Sequence, residues 1–143
     1  MGLYDGFRIS MSGMDAQTRR LRLVASNLAN ANSTRSATGE VYRRKDIIFS
    51  AVPIEQGKGG GNAFRGGLQK VKTAGIVEDP SPLKKMFMPD HPDADKKGYV
   101  HFPNVKMFEE VVHMMDAIKS YEANVMAFNS SKDMMKKALE IGR

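Results

Sequence analysis

The residues of this chain that could do chemistry are its three histidines and an acidic stretch between residues 90 and 98. That stretch carries several carboxylates at short spacing, as calcium-binding loops do. An EF-hand loop beginning at Asp93 would place Lys97 at its fifth position and Asn104 at its twelfth. Calcium needs an oxygen ligand at the fifth position and a bidentate glutamate at the twelfth. The stretch therefore predicts a solvated turn without a metal ligand.

Other patterns typical of catalysis or nucleotide binding are also missing from the sequence. His91, His101 and His113 lie on different predicted elements, without the i, i+4 spacing that metal sites favour. The glycine-rich stretch 57–67 lacks the Gly-Lys-Ser/Thr of a phosphate-binding loop, and no Gly-x-Ser-x-Gly turn marks a nucleophilic serine. Composition alone does not exclude a Ser-His-Asp triad, but nothing brings three such residues together.

The absence of cysteine removes several classes of protein from consideration. The 143 residues contain no cysteine, so the chain has no disulfide, no thiolate metal site and no cysteine nucleophile. The length fits one modest domain or a small domain with long helical arms. We predict that the chain is not an enzyme and that it has no cofactor and no metal.

The N-terminal segment predicts an amphipathic helix that runs from Leu3 to about Asn30. It contains no proline, and its seam residues recur every seven positions, as in a coiled coil. These seam residues are Phe7, Met14, Leu21 and Leu28. The segment 30–34 is rich in Asn and Ser, which compete for backbone hydrogen bonds, so it should end the helix. Asn27, Asn30 and Asn124 are poor helix formers, and we expect them to bond between helices or to cap a turn.

The C-terminal segment predicts a longer helix with an apolar stripe. Asn104, which follows Pro103, is its expected N-cap, and Gly142 follows its last apolar turn. Alternate steps of four and three residues define the stripe. Its apolar members are Met107, Val111, Met114, Ile118, Tyr121, Val125, Phe128, Met135 and Leu139.

The middle of the chain predicts a small β-rich insert. Residues 41–49 and 68–77 are rich in β-formers, and 98–102 form a third candidate strand. The fold class is therefore mainly α, with long terminal amphipathic helices forming a coiled-coil-like core around this insert. We divide the chain into a helical core domain, residues 1–34 and 104–143, and an insert, residues 35–103, with a glycine-rich loop at 57–67.

The unequal lengths of the two helices predict association with other subunits. At about 1.5 Å per residue, a helix from Phe7 to Asn30 extends over about 36 Å and one from Val105 to Glu140 over about 54 Å, so they cannot cover each other completely. A simple hairpin within a monomer would leave about a third of the apolar stripe without a partner from the same chain. Exposed apolar area of that size is typical of protein interfaces.

The positive charge raises a nucleic-acid hypothesis. The chain has a formal net charge of +6, with basic clusters at 19–22 and 43–45. Clustered Arg and Lys favour binding to phosphate through counterion release. The first cluster, however, occupies what should be the solvated face of the N-terminal helix. A basic helical protein that binds nucleic acid, or acts as an adaptor, is therefore the alternative function, and we predict no nucleic-acid binding.

Several segments resemble the flagellar axial proteins, the family that builds rod and hook. The most specific are Ser26-Asn27-Leu28-Ala29-Asn30-Ala31-Asn32-Ser33-Thr34 and Tyr121-Glu122-Ala123-Asn124. Further matching segments are 42–46, 77–82, 91–94, 98–100, 103–105 and 137–142. These segments occur in the same order over nearly the whole chain and resemble the proximal-rod subunits of that family. The short length of the chain is also similar to that of proximal-rod subunits. The family-motif residues are Ser26, Asn27, Leu28, Ala29, Asn30, Asn32, Thr34, Tyr121, Glu122, Ala123 and Asn124.

The resemblance implies a structural subunit of the bacterial flagellar basal body. Such proteins are exported unfolded by the flagellar type III apparatus, without a cleaved signal peptide, and assemble in the periplasm as a helical tube. The first residues lack the continuous apolar core of a secretion signal, and we expect no direct membrane insertion. The implied partners are other copies, the rod proteins FlgB, FlgF and FlgG, the adaptor FliE between rod and MS ring, and the export apparatus.

Overall fold

The structure is a computed structural model that describes residues 3–35, 39–54 and 68–142. Its elements are α1 (Leu3–Ala29), β1 (Lys45–Pro53), β2 (Gln69–Glu78), β3 (Lys84–Phe87), β4 (Tyr99–Phe102) and α2 (Met107–Ile141). The two helices account for half of the described residues. The four strands form two small sheets between them. A helical protein with a β insert is therefore confirmed.

The chain folds as two compact units. The first comprises residues 1–19, 48–75 and 116–143, and the second comprises residues 20–47 and 76–115. Each unit thus contains part of both helices and part of the insert. The division into a helical core domain, residues 1–34 and 104–143, and an insert, residues 35–103, stays a prediction.

In the first unit, the start of α1 packs against the second half of α2. The rings of Phe7 and Phe128 meet edge to face, with centroids 4.8 Å apart and planes at 70°. Further along α1, the backbone of Gly13 lies directly against the side chain of Asn124. The two helices therefore run antiparallel, because residue numbers rise along α1 as they fall along α2.

Small residues line the buried face of this helix pair. Ser10, Gly13 and Ala16 of α1 are buried, and so is Ala117 of α2. Small side chains allow two helix axes to approach closely. The larger seam residue Met14 is only half-buried, on the flank of this contact. At Gly13, therefore, the two helices pack through residues beside the predicted apolar seam, whereas Phe7 and Phe128 belong to the seam itself.

In the second unit, α1 ends in a hydrogen-bonded turn. The Asn30 backbone N–H donates to the Ser26 carbonyl at 3.1 Å, and the Asn30 side-chain amide donates to the same oxygen at 2.8 Å. The Ala31 N–H donates to the Leu28 carbonyl at 3.2 Å. The prediction that the segment 30–34 ends the helix is confirmed, and Asn30 caps the turn as expected.

The strands β1 and β2 pair with each other. At one end of the pair, the Ile54 N–H donates to the Leu68 carbonyl at 3.3 Å, and at the other the Asp79 N–H donates to the Arg44 carbonyl at 2.8 Å. The strands are therefore antiparallel. The sequence predicts β2 to within one residue, whereas β1 begins four residues later than expected. The glycine-rich loop at 57–67 lies outside the described residues.

The strands β3 and β4 form a second antiparallel pair, with Lys84 opposite Phe102 and Phe87 opposite Tyr99. The candidate strand at 98–102 is confirmed as β4. Strand β3 was not predicted, because its four residues are all exposed and include two lysines and a methionine. Such a short strand has neither the β-branched residues nor the alternation that mark a strand in sequence.

The N-cap prediction for α2 is wrong. The helix begins at Met107, three residues after Asn104. The Asn104 side chain instead accepts the Arg44 backbone N–H at 2.8 Å and donates to the Asp79 and Ser81 carbonyls, each at 3.2 Å. These backbone groups lie outside the paired strands and need hydrogen-bond partners. The Asn104 side chain bonds to them instead of to the first turn of α2.

Substitution of Gly13 by Ala should weaken the α1–α2 pair. The added Cβ would lie 2.5 Å from the Asn124 Oδ1 atom, and the overlap should cost about 1 to 3 kcal/mol in the free energy of unfolding. Gly6→Ala is the matched control, because its Cβ would lie 3.4 Å from the Ser131 Oγ atom. That change should stabilise the helix by up to about 1 kcal/mol. Urea unfolding followed by circular dichroism measures both, and equal effects would contradict the close approach.

Candidate assembly site

A buried polar network occupies the middle of the second unit, with Asn27 at its centre. Asn27 is 1% exposed, and its amide nitrogen donates to the Lys45 carbonyl at 2.8 Å and to Glu110 Oε2 at 3.0 Å. Its Oδ1 atom accepts the Tyr42 hydroxyl at 2.8 Å and the Lys45 N–H at 3.0 Å. All four hydrogen-bonding positions of the amide are therefore used. Asn27 joins α1, β1 and α2, so the prediction that it bonds between helices is confirmed.

Glu110 supplies the negative charge of this network. Its side chain is fully buried, and Oε1 accepts a hydrogen bond from Arg44 Nε at 2.7 Å. Arg44 also pairs with Asp46 Oδ2 at 3.1 Å and Asp79 Oδ2 at 3.8 Å. Burial acts to lower the pKa of the Arg44 guanidinium, but Glu110 and then Asp46 outweigh it and raise that pKa. The Arg44 guanidinium therefore keeps its charge beside Glu110, as a buried charge requires a partner.

The basic cluster 43–45 is largely used inside the chain. Arg44 is committed to Glu110, and Arg43 donates to the Ser81 carbonyl at 3.4 Å. The Lys45 ammonium lies 3.8 Å from Glu78. Three adjacent basic residues thus serve intramolecular contacts, which weakens the case for a phosphate-binding patch at this place.

The acidic stretch 90–98 forms a turn that is stabilised by hydrogen bonds from backbone N–H groups to the Asp95 side chain. Asp95 Oδ1 accepts the N–H groups of Tyr99 at 2.9 Å and Lys97 at 2.8 Å, and these bonds hold the pKa of Asp95 below its ordinary value. The ionised Asp95 stabilises the turn above the unfolded pKa of about 3.9, and this contribution is lost as the pH falls through the lowered value. Asp93 accepts the Thr34 hydroxyl at 2.7 Å.

The described residues contain neither a metal-binding group nor a membrane-spanning helix. Within residues 3–35, 39–54 and 68–142, no three His, Asp or Glu side chains form a group able to hold a metal ion. His91 accepts the Asp93 N–H through Nδ1 at 3.1 Å, so this ring serves the turn. In that same part of the chain, neither helix is long and apolar enough to cross a membrane.

The predicted seam residues of α2 lie partly at the surface. Met107, Val111, Ile118, Tyr121 and Leu139 are exposed, Leu139 to 70%. The remaining four seam residues are half-buried: Met114, Val125, Phe128 and Met135. On α1, the seam residues Phe7, Met14, Leu21 and Leu28 are all half-buried. A large part of the apolar stripe is therefore available to a partner.

Comparison with known proteins identifies the family. Residues 7–37 match the family model for the flagella basal body rod protein, and residues 96–141 match that for the flagellar basal body rod FlgEFG protein C-terminal. The flagellar basal-body rod protein FlgC of Borreliella burgdorferi is 40% identical over 99% of this chain and 98% of its own length. The FlgC proteins of Escherichia coli and Bacillus subtilis are 41% and 40% identical, each over the full length of both chains. The chain belongs to the FlgC family of flagellar basal-body rod proteins.

Both family motifs lie within the matched regions, and the structure gives several of their residues definite contacts. In the first motif, Asn27 joins the buried network, Asn30 caps α1 through Ser26, and Thr34 bonds to Asp93. Leu28 is half-buried, while Ala29 and Asn32 are exposed.

The second family motif lies on α2, in the first unit. Asn124 packs on Gly13 and donates to the Ser120 carbonyl of its own helix at 2.8 Å, so the prediction that it bonds between helices or caps a turn is wrong. Tyr121, Glu122 and Ala123 are exposed. The motif thus presents one residue to α1 and three to solvent.

Sequence reasoning missed the roles of Glu110, Arg44 and Tyr42. Glu110 lies near the positive end of the helix, where any carboxylate is favourable, so its type alone suggested no buried partner. Its position was nevertheless informative, because Met107 and Met114 lie three residues before and four after it on the same helix face. A carboxylate on that apolar face needs a buried cation, and the neighbouring basic cluster 43–45 provides one.

Removal of the Glu110 carboxylate should unfold the second unit more readily. Glu110→Ala removes the acceptor of the Arg44 Nε–H and of one N–H of the buried Asn27 amide, which should cost about 2 to 5 kcal/mol. Glu109→Ala is the matched control, because this neighbour is exposed and forms a surface ion pair with Lys106. It should cost less than about 1 kcal/mol. Urea unfolding measures both variants, and similar losses would show that the buried pair does not stabilise the unit.

Proposed function

We propose that this chain is a structural subunit of the proximal rod of the flagellar basal body, part of the drive shaft that carries torque from the motor ring to the hook. Membership of the FlgC family supports this role along the full length of the chain. The single structural observation that carries it is the exposed apolar stripe on α2. A soluble monomer rarely leaves such a surface uncovered, whereas a polymer subunit uses it for contact.

The two faces of α2 support a specific mode of assembly. In the first unit, α2 contacts α1 through positions beside small or polar residues, as at Asn124 on Gly13. Ile118 lies on a different face and is exposed, and Tyr121, three residues before Asn124, is exposed at the edge of the contact face. We infer that they pack against helices of neighbouring subunits, in a coiled-coil-like core that lines the inside of the tube.

The buried network supports the transmission of torque. A subunit that carries load must resist shear between its own elements. In the second unit, Asn27, Arg44 and Glu110 join α1, the start of β1 and α2 through hydrogen bonds of 2.7 to 3.0 Å, and the two bonds to the Glu110 carboxylate are charge-assisted. Such a connection has a defined geometry and is costly to break, so it suits a rigid link.

The partners and route follow from the same role. The subunit would contact other copies, the rod proteins FlgB, FlgF and FlgG, and the adaptor FliE at the MS ring. It would reach the periplasm through the flagellar type III apparatus as an unfolded chain, without a cleaved signal peptide. The lack of disulfides supports such passage, because no covalent cross-link would need to be reduced first.

Replacement of Ile118 by Asp should separate folding from assembly. Ile118 is 41% exposed, so the variant subunit should fold and be exported, but assembly would bury an unpaired carboxylate at a cost of several kcal/mol. Cells should then secrete the subunit and build no rod. Export is followed by immunoblotting of the extracytoplasmic fraction, and assembly by imaging of basal bodies.

Two comparisons make this test decisive. Lys119→Asp is the control, because its position is adjacent and exposed but lies off the apolar stripe. It should leave rods intact. Val125→Asp, on the stripe but half-buried, should also abolish them. Normal motility of the Ile118→Asp and Val125→Asp strains would remove α2 from the core of the rod.

A further inference from the structure

The hairpin of β3 and β4 presents a fixed aromatic pair to solvent. One face of the hairpin carries Phe87 opposite Tyr99 and Lys85 opposite His101, because opposed residues and alternate residues of a strand share a face. The two rings meet edge to face with centroids 5.3 Å apart. Phe87 is nevertheless 64% exposed. We call these four residues the hairpin patch.

Gly98 holds the exposed ring of Phe87 in place. Its φ of 81° lies in the left-handed region that favours glycine, and an added Cβ would lie 2.8 Å from Phe87 Cε2. The ring therefore rests directly on the backbone of the turn and on Tyr99. Because the ring is already ordered, it has little conformational entropy left to lose on binding. Ordered, exposed aromatic side chains are typical anchors of protein interfaces.

A second apolar patch lies on the first turns of α2, in the same compact unit. Phe108, Val111, Val112 and Met115 stand at i, i+3, i+4 and i+7, so they form one helix face. All four are exposed, Phe108 to 91%. Glu109 borders this face, and its hydrogen bond with Lys106 keeps its pKa below the ordinary value. We call the four apolar residues the helix patch.

We propose that the hairpin patch of one copy docks on the helix patch of a second copy. The charges favour this pairing, because Lys85 stands beside Phe87 on the hairpin and Glu109 stands beside Phe108 on the helix. Lys85 makes no ion pair within the described residues, so it is available to a carboxylate of the neighbour. Opposite charges beside an apolar contact fix its orientation and disfavour wrong partners.

The dimensions of the two patches are also comparable. The helix patch extends over about 10 Å at 1.5 Å per residue, and the hairpin patch covers two strands about 5 Å apart over about 7 Å of their length. The two patches differ in shape and charge, so neither is suited to pair with its own copy. A contact between unlike patches is head-to-tail and repeats from copy to copy, which generates a polymer rather than a closed dimer.

This inference rests on the proposed function, because the copies must meet in the rod. Introduced cysteines can test it without background, since the chain has none of its own. The test variant carries Lys85→Cys and Glu109→Cys, which leaves every apolar residue of both patches in place. Basal bodies isolated from cells with this variant are oxidised and separated on a denaturing gel. We expect a ladder of dimers, trimers and higher multiples.

The controls are the two single variants and the pair Lys85→Cys with Asp133→Cys, whose second site is exposed on α2 but far along the helix. All three should remain monomeric. If basal bodies contain the test variant and it stays monomeric, the inference is overturned and the proposed function stands. If basal bodies isolated from wild-type cells do not contain this protein, both the inference and the proposed function are overturned. A dimer from a single variant would overturn the head-to-tail arrangement. A disulfide between the test variant and another protein would overturn the proposal that the partner is a second copy of this chain.

Charge reversal provides a second measurement if the cysteine variants fail to assemble. Lys85→Glu should reduce the number of rods per cell, because it places two carboxylates at the contact. Glu109→Lys should do the same with two ammonium groups. The double variant should restore rods above the level of either single variant. Normal rod numbers with Lys85→Glu would overturn the inference.

Discussion

One buried carboxylate sets the arrangement of the second unit. Glu110 has no access to water, so its charge must be met by a cation and by hydrogen-bond donors. Arg44 and Asn27 meet it, and their positions bring the end of α1 and the start of β1 to the helix. Asn104 then takes the Arg44 backbone N–H, so α2 begins at Met107 without its expected cap. A single requirement for charge pairing thus determines the entry of a strand and the start of a helix.

The helices divide their surfaces between intramolecular and external contacts. In the first unit, small residues such as Gly13 and Ala117 allow close packing, while Ile118 of α2 stays at the surface. Large apolar side chains stabilise an interface more than small ones do, because they bury more area. Apart from the Phe7–Phe128 pair, the contact between the helices uses small residues, so much of the larger apolar surface is retained for neighbours. This division explains why an amphipathic stripe with strong periodicity is only half covered by its own chain.

The sequence predicts local features well and long-range polar contacts poorly. Periodicity and turn residues locate both helices and the end of α1 at Ala29, because these depend on neighbours in sequence. Asn104 was misassigned because its partners, such as Asp79, lie about 25 residues away. Glu110 was undervalued because burial of a charge becomes visible only with its partner. Asn27 was expected to bond between helices, but no local pattern could name Tyr42 and Glu110 as its partners.

The exposed apolar surfaces create a hazard that the charges beside them reduce. A subunit whose apolar stripe bound any apolar surface would aggregate before it reached its correct neighbour in the assembly. Lys119 and Glu122 follow the helix patch along α2, and Lys85 stands beside Phe87 on the hairpin. Each wrong docking would bury one of these charges without a partner, at a cost larger than the gain from a few apolar contacts. Specificity in such a subunit therefore comes from the placement of charges at the edges of apolar patches.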